Sequence, residues 1–318
     1  AQHNLGVLYS VQLLEPIKAL PYFEAALNNN PTKLQFWFSY IDALIKANMP
    51  EMAEQVLALA SNYGLNDLQI ESFQRDIRLA QASVDDLLAK VLAEAPPLPE
   101  PDMAQAAPAP TAVADHPGTA DLQQLLSLFN QKKYDRTILH ATTLLKRFPK
   151  ATAVWTLLAE AEKRTGNLEK SLHARQQVAQ LQPTDTAAQI AWVDALLALG
   201  QDDKAQVVLE TVLRVEPQSA PAHGKMGLLY QKQGNIQQAL YSYARALQKE
   251  KFNPIFLEKF GSLLRAQGDQ DGALVCFKAA VDASPNSAEL LDAYGVTLRN
   301  QERLGAAENA FRQALKIH

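Results

Sequence analysis

From Trp155 onward the apolar and polar positions recur in one order: an apolar-periodic run, a glycine, a second such run, and a proline. Apolar residues three or four apart fall on one face of a helix, so each run predicts a helix with one buried side. Gly166, Gly200, Gly234 and Gly268 stand 34 positions apart, and Pro183, Pro217 and Pro285 keep the same register. Ala205, Ala239, Ala273 and Ala307 follow that beat, as do Leu209, Tyr243, Phe277 and Phe311. A fixed period of this length marks stacked repeats, each burying its apolar face on the next. The glycine can take positive φ, which ends helix A and reverses the chain. The proline ends helix B, because it lacks an amide hydrogen and restricts the residue before it. Ala159, Gly227, Gly261 and Gly295 recur inside helix A, where glycine costs about 1 kcal/mol against alanine. Small residues at that point predict a close approach of helices A and B.

In this register the units run 118–151, 152–185, 186–219, 220–253, 254–287, and from 288 to just before an expected proline. The marks resemble the tetratricopeptide repeat, a 34-residue helix-turn-helix with small and aromatic residues at these points and a closing proline. The resemblance implies an all-α superhelical solenoid. Asn4, Leu5, Gly6, Tyr9, Ala19, Phe23, Ala26 and Pro31 form a further copy with one extra residue in its turn. Another follows with Trp37, Tyr40, Ala53, Leu57 and Ala60. The departures are Thr137 and Ser171 for the helix-B alanine, Lys251 for the closing proline, and Lys132 and Glu302 for the turn glycine. Residues 67–93 read as a capping helix through Leu68, Phe73, Ile77, Leu87, Leu88 and Val91. Beyond them, seven of the chain's 17 prolines fall between Pro96 and Pro117, with alanine and acid between, a composition that predicts an extended tether. The expected organisation is thus an N-terminal repeat block at 1–93, a Pro/Ala-rich linker at 94–117 and a six-repeat block at 118–318. The runs Gln35–Leu44 and Leu125–Asn130 resemble N-terminal repeat regions of bacterial multidomain proteins, which often precede glycosyltransferase or sulfotransferase domains. The pattern opens inside a helix at Ala1 and stops where a further element is due, so flanking sequence is expected.

Charge and cysteine content narrow the function classes. A net charge of -4 argues against sequence-independent nucleic-acid binding, which needs a concentrated basic field. Cys276 is the single cysteine, so no internal disulfide can form, and a reducing compartment such as the cytoplasm fits. No run approaches the roughly 20 apolar residues of a membrane helix. His3, His116, His140, His173, His223 and His318 show no paired metal-ligand spacing, so no metal is assigned. Asp269, Asp271 and Gly272 lack the remaining ligands of a calcium loop, and acids at a helix start favour its dipole. His223-Gly224-Lys225 lacks the glycine lead and hydroxyl residue of a phosphate loop. No catalytic constellation and no cofactor site emerges.

Binding is what remains. The resemblance implies that helix A lines the concave groove of the array. On it, Leu126, Phe129, Ile190, Leu197 and Leu228 are apolar where solvation alone favours polar residues. Lys163, Arg164, Lys232, Arg265 and Arg299 add positive charge, with Asp194 on the adjoining row. These residues predict a groove for a protein or peptide segment with apolar and acidic side chains. Trp37, Trp155 and Trp192 occupy helix-A positions turned toward neighbouring helices, which predicts core packing rather than ligand stacking. The expected function is a protein-interaction scaffold. The alternative is the substrate-recruiting region of a larger transferase whose catalytic residues lie elsewhere.

Overall fold

A computed structural model describes residues 1–13, 15–94 and 117–317; the tether expected at 94–117 lies outside the described residues except at its two end positions. Among the described residues there are eighteen α-helices and no strand. The first six are α1 (Gln2–Val7), α2 (Pro16–Asn29), α3 (Leu34–Lys46), α4 (Pro50–Ala60), α5 (Asp67–Gln81) and α6 (Val84–Glu94). Then follow α7 (Thr119–Asn130), α8 (Tyr134–Arg147), α9 (Thr152–Arg164), α10 (Leu168–Leu181), α11 (Thr186–Ala198) and α12 (Asp202–Val215). The last are α13 (Ala220–Lys232), α14 (Ile236–Lys249), α15 (Pro254–Ala266), α16 (Gln270–Ala283), α17 (Ala288–Asn300) and α18 (Leu304–Ile317). From α9 onward every A helix and every B helix starts 34 residues after the last, as the sequence period requires.

The turns show which residue types the fold needs and which it tolerates. Gly166, Gly200, Gly234 and Gly268 take φ between 68° and 89°. Lys132 and Glu302, which stand where the glycine is missing, adopt φ of 57° and 60° all the same. A left-handed conformation costs a side-chain-bearing residue about 1–2 kcal/mol, so packing of the flanking helices carries these two turns. The extra residue of the first repeat is not in its turn. It is absorbed by a π-helical segment at Leu8–Gln12, where the Leu13 N–H donates to the Leu8 carbonyl at 3.0 Å. Residues 67–93 likewise form two helices instead of one. Ser83 starts the second: its Oγ accepts from the Asp86 N–H at 3.2 Å, and the Asp86 carboxylate accepts from the Ser83 N–H at 3.2 Å.

Small residues sit where A and B helices cross. A Cβ at Gly6 would stand 2.6 Å from the Phe23 ring, at Gly227 3.0 Å from Tyr243, and at Gly295 2.7 Å from Phe311. The joint between repeats carries a recurring hydrogen bond that the period also explains. Trp37 Nε1 donates to the Pro31 carbonyl at 2.7 Å, and Trp155 Nε1 to the Pro149 carbonyl at 2.8 Å. At the same place in the next two repeats, Gln189 Nε2 donates to the Pro183 carbonyl at 3.5 Å, and His223 Nε2 lies 2.9 Å from the Pro217 carbonyl. A carbonyl past a helix end has lost its intrahelical partner, and a polar side chain from the next helix supplies one.

The helices group into two compact units, residues 1–89 with 264–318, and residues 90–263. In the first, Phe23, Trp37, Ile41, Leu44, Leu57 and Ile77 form one buried cluster, and Leu274, Leu298, Ala307 and Ala310 another. In the second, Leu125, Leu144, Val154 and Leu158 form the cluster of its early helices, while Leu209, Met226, Leu229, Leu240, Tyr243 and Phe260 are fully buried further along.

Candidate functional site

Because the helices keep the 34-residue spacing, residues at equal positions form rows across the A helices of the 90–263 unit. One row is Leu126, Glu160, Asp194 and Leu228; the next is Phe129, Lys163, Leu197 and Gln231; a third holds Arg164 and Lys232. Leu126 on α7 is 45% exposed, and Phe129 is half-buried with its ring 5.6 Å edge-on from Tyr134. Ile190 and Leu197 on α11 and Leu228 on α13 are half-buried. Lys163 and Arg164 on α9, Asp194 on α11 and Lys232 on α13 are exposed. Nine of the eleven expected groove residues therefore share one unit. Arg265 on α15 and Arg299 on α17 belong to the other unit. Arg265 spends its guanidinium on packing: it donates to the Ala293 carbonyl and to Thr297 Oγ1 at 3.4 Å each, and lies 5.1 Å over the Phe277 ring. Arg299 is exposed.

Ion pairs stitch these rows to their neighbours. Glu160 receives Arg164 at 3.0 Å and Arg175, from α10, at 3.1 Å. Lys225 pairs with Asp194 across α13 and α11, and Lys232 pairs with Asp202 at 3.1 Å across α13 and α12. Among the described residues Lys163 has no carboxylate partner. It borders a recess of about 100 Å³ together with Arg175 and Asp194. The recess exists because Ala191, Ala195 and Ala198 lie along one strip of α11 and leave it shallow. Arg175, this alanine strip and the place of Lys225 on this face were absent from the sequence expectations. The strip's three- and four-residue spacing is a readable signal, whereas Arg175 reaches the surface from a B helix. The face thus combines apolar relief, a small dent and, in Lys163, an ammonium without a carboxylate partner among the described residues.

Among the described residues no three His, Cys, Asp or Glu side chains are grouped to hold an ion, and no helix is long and apolar enough to cross a membrane. Cys276 is fully buried, and burial, with Asp269 nearby, pushes its thiol far up, away from the reactive thiolate.

Tetratricopeptide repeat signatures match residues 117–275 and 258–318. The chain belongs to the tetratricopeptide repeat family. A protein O-mannosyl-transferase, TMTC1 of Homo sapiens, is 26% identical over 158 residues, 48% of this chain and 18% of the relative. The probable biofilm formation methyltransferase WspC of Pseudomonas putida is 36% identical over 84 residues, 26% of this chain and 20% of the relative. The tetratricopeptide array thus spans about a fifth of the length of these two relatives. The solved Cut9–Hcn1 hetero-tetramer of the APC/C shares the fold over 95% of this chain and 50% of its own, with a TM-score of 0.51 and 14% identity.

Proposed function

We propose that this array is a protein-interaction scaffold that holds a partner segment on the A-helix face of residues 121–263. The observation that carries the reading is the coincidence on one face of Leu126, Phe129, Leu197 and Leu228 with Lys163, which among the described residues has no carboxylate partner within ion-pair distance. Apolar side chains left on a surface where repeats are already packed are available to a partner. The uncommitted lysine favours an acidic residue in the bound segment. A net charge of -4 favours a protein partner over nucleic acid.

Affinity capture from cell extract with the wild-type chain, Phe129→Ala and Lys163→Glu tests this. Truncating a central aromatic anchor costs on the order of 2 kcal/mol, so Phe129→Ala weakens capture at every salt concentration. Lys163→Glu weakens it chiefly at low ionic strength, since a rim charge acts through a field that salt screens. Equal capture by all three proteins would remove the face from the account. The second reading rests on the two transferase relatives and the small share of each that the chain spans. There the same face would hold a substrate protein for a catalytic domain elsewhere, and the captured partners would carry the modification.

A further inference from the structure

Helix α5 presents two different faces within the 1–89 and 264–318 unit. Ile70, Phe73 and Ile77 point into the cluster of Phe23, Trp37 and Ile41. Arg75, Asp76 and Leu79 fall on the opposite side of the helix and meet α16–α18. Arg75 Nη2 stands 3.3 Å from Asp271 Oδ1, and Arg303 Nη2 stands 3.3 Å from Asp76 Oδ1. Gln301 Nε2 donates to the same Asp271 oxygen at 2.6 Å. Leu79 packs against the cluster of Leu274, Leu298, Ala307 and Ala310. Adjacent opposite charges on α5 meet opposite charges on α16 and on the turn between α17 and α18, so this contact has one register and one direction.

The contact is also incomplete. A recess of about 490 Å³ stays open between Ile45, Ala80 and Val84 on one side and Val275, Tyr294 and Leu298 on the other. The side chains of the Arg75–Asp271 pair are 42% and 52% exposed, and those of the Arg303–Asp76 pair 30% and 26%, so the first pair is the weak one. Exposed ion pairs add little stability and are screened by salt, and an open recess forfeits the dispersion contacts of a filled one. A seam of this kind selects its partner more than it holds it.

We propose that the face of α16–α18 carrying Asp271, Leu274, Leu298 and Arg303 is a helix-binding site whose built-in occupant is α5. The site accepts in exchange another helix that presents adjacent arginine and aspartate with a leucine one turn on. Release of α5 bares Leu274, Tyr294 and Leu298, so an incoming helix gains an apolar surface that the closed form covers.

The test is fluorescence energy transfer in the full chain between dyes on Gln74→Cys and Asn309→Cys, two exposed positions on α5 and α18. Cys276 is buried and stays in place. The probe is a synthetic peptide of residues 66–82, with a control peptide carrying Arg75→Asp, Asp76→Arg and Leu79→Asp. Transfer is expected to be high at about 0.1 M salt and to fall toward about 1 M, as the screening length drops from about 10 Å to about 3 Å. The excess native-sequence peptide lowers it and the control peptide does not. Asp271→Lys combined with Arg303→Glu lowers it without added salt, while helicity stays that of the parent. Transfer that neither the peptide nor the charge reversal changes would make α5 a permanent part of the core and overturn the proposal. Low transfer in the parent chain at low salt would overturn it as well. Should the charge-reversed chain not fold, the peptide titration alone decides.

Discussion

Replacing His223 by glutamine should abolish an acid sensitivity that the repeat joint builds into the chain. His223 is 4% exposed, its Nε2 lies 2.9 Å from the Pro217 carbonyl, and its Nδ1 is buried with no hydrogen-bond partner. The carbonyl can only accept, so Nε2 carries the proton and Nδ1 is bare in the neutral ring. A second proton would place a cation in the core with nothing to receive its new N–H. Burial therefore holds the imidazole below its ordinary value of 6.5; the Pro217 carbonyl pulls it back up, and Arg245 pushes it further down. The sign follows from linkage. Above pH 6.5 the ring is neutral in both folded and unfolded chains and costs nothing. Below it the unfolded chain takes up a proton that the folded chain resists, so stability falls with pH until the depressed folded value is reached. Each pH unit inside that window costs at most about 1.4 kcal/mol, which caps the loss at about 2 kcal/mol by pH near 5. A glutamine holds this position one repeat earlier, where Gln189 Nε2 donates to the Ala179 carbonyl at 2.9 Å and reaches the Pro183 carbonyl at 3.5 Å. His223→Gln keeps the donor and removes the titration. Urea unfolding of both proteins at neutral pH and near pH 5 reads the difference; other carboxylates and histidines cancel in the comparison. Identical pH slopes in the two proteins would refute the argument.

Gly295→Ala and Gly305→Ala should move thermal stability in opposite directions within one repeat. The added methyl at Gly295 meets the Phe311 ring at 2.7 Å, an overpacking cost of about 1–3 kcal/mol that exceeds the gain of about 1 kcal/mol in helix propensity. At Gly305 nothing lies within 4 Å, so that variant keeps whatever propensity gain its first-turn position allows. Melting temperatures that shift the same way would contradict the assigned crossing of α17 and α18. Cys276 should resist maleimide in the folded chain and react only as urea unfolds it, since the thiol is buried and its pKa raised. Labelling at the rate of a free thiol in native buffer would show that the α16 core is open.

Much of this fold is readable because its period is enforced at points where few residue types serve. A turn that needs positive φ selects glycine at 166, 200, 234 and 268, and a crossing that admits no side chain selects Gly227 and Gly295. The exceptions arise where a local preference is outweighed. Lys132 and Glu302 take the glycine conformation because the helices on either side are fixed by packing. The surplus residue near Gly6 goes into a π-helical turn, which leaves the Gly6–Phe23 crossing intact. The break after Gln81 was legible in Ser83 and Asp86, three residues apart, but the apolar spacing of the whole stretch masks it. The candidate face was legible in its apolar residues and less so in its charges. Asp194 and Lys225 are 31 residues apart, and Lys232 and Asp202 30, so their pairing follows only once the stacking of one repeat on the next is known. Arg265 carries the same residue type as a groove cation, and only its contacts with Ala293, Thr297 and Phe277 distinguish the two roles. The meeting of α5 with α16–α18 spans 196 residues between Arg75 and Asp271, a separation across which no periodic pattern carries information.

The central claim is that partners bind the A-helix face of residues 121–263. Site-specific photo-crosslinking tests it most directly, with benzoylphenylalanine at Leu197 on that face or at Val207 on a B helix of the same repeat, where the side chain is 63% exposed. The account predicts that a captured partner crosslinks at position 197 and not at 207. Crosslinking confined to position 207, or of equal yield at both, would contradict it.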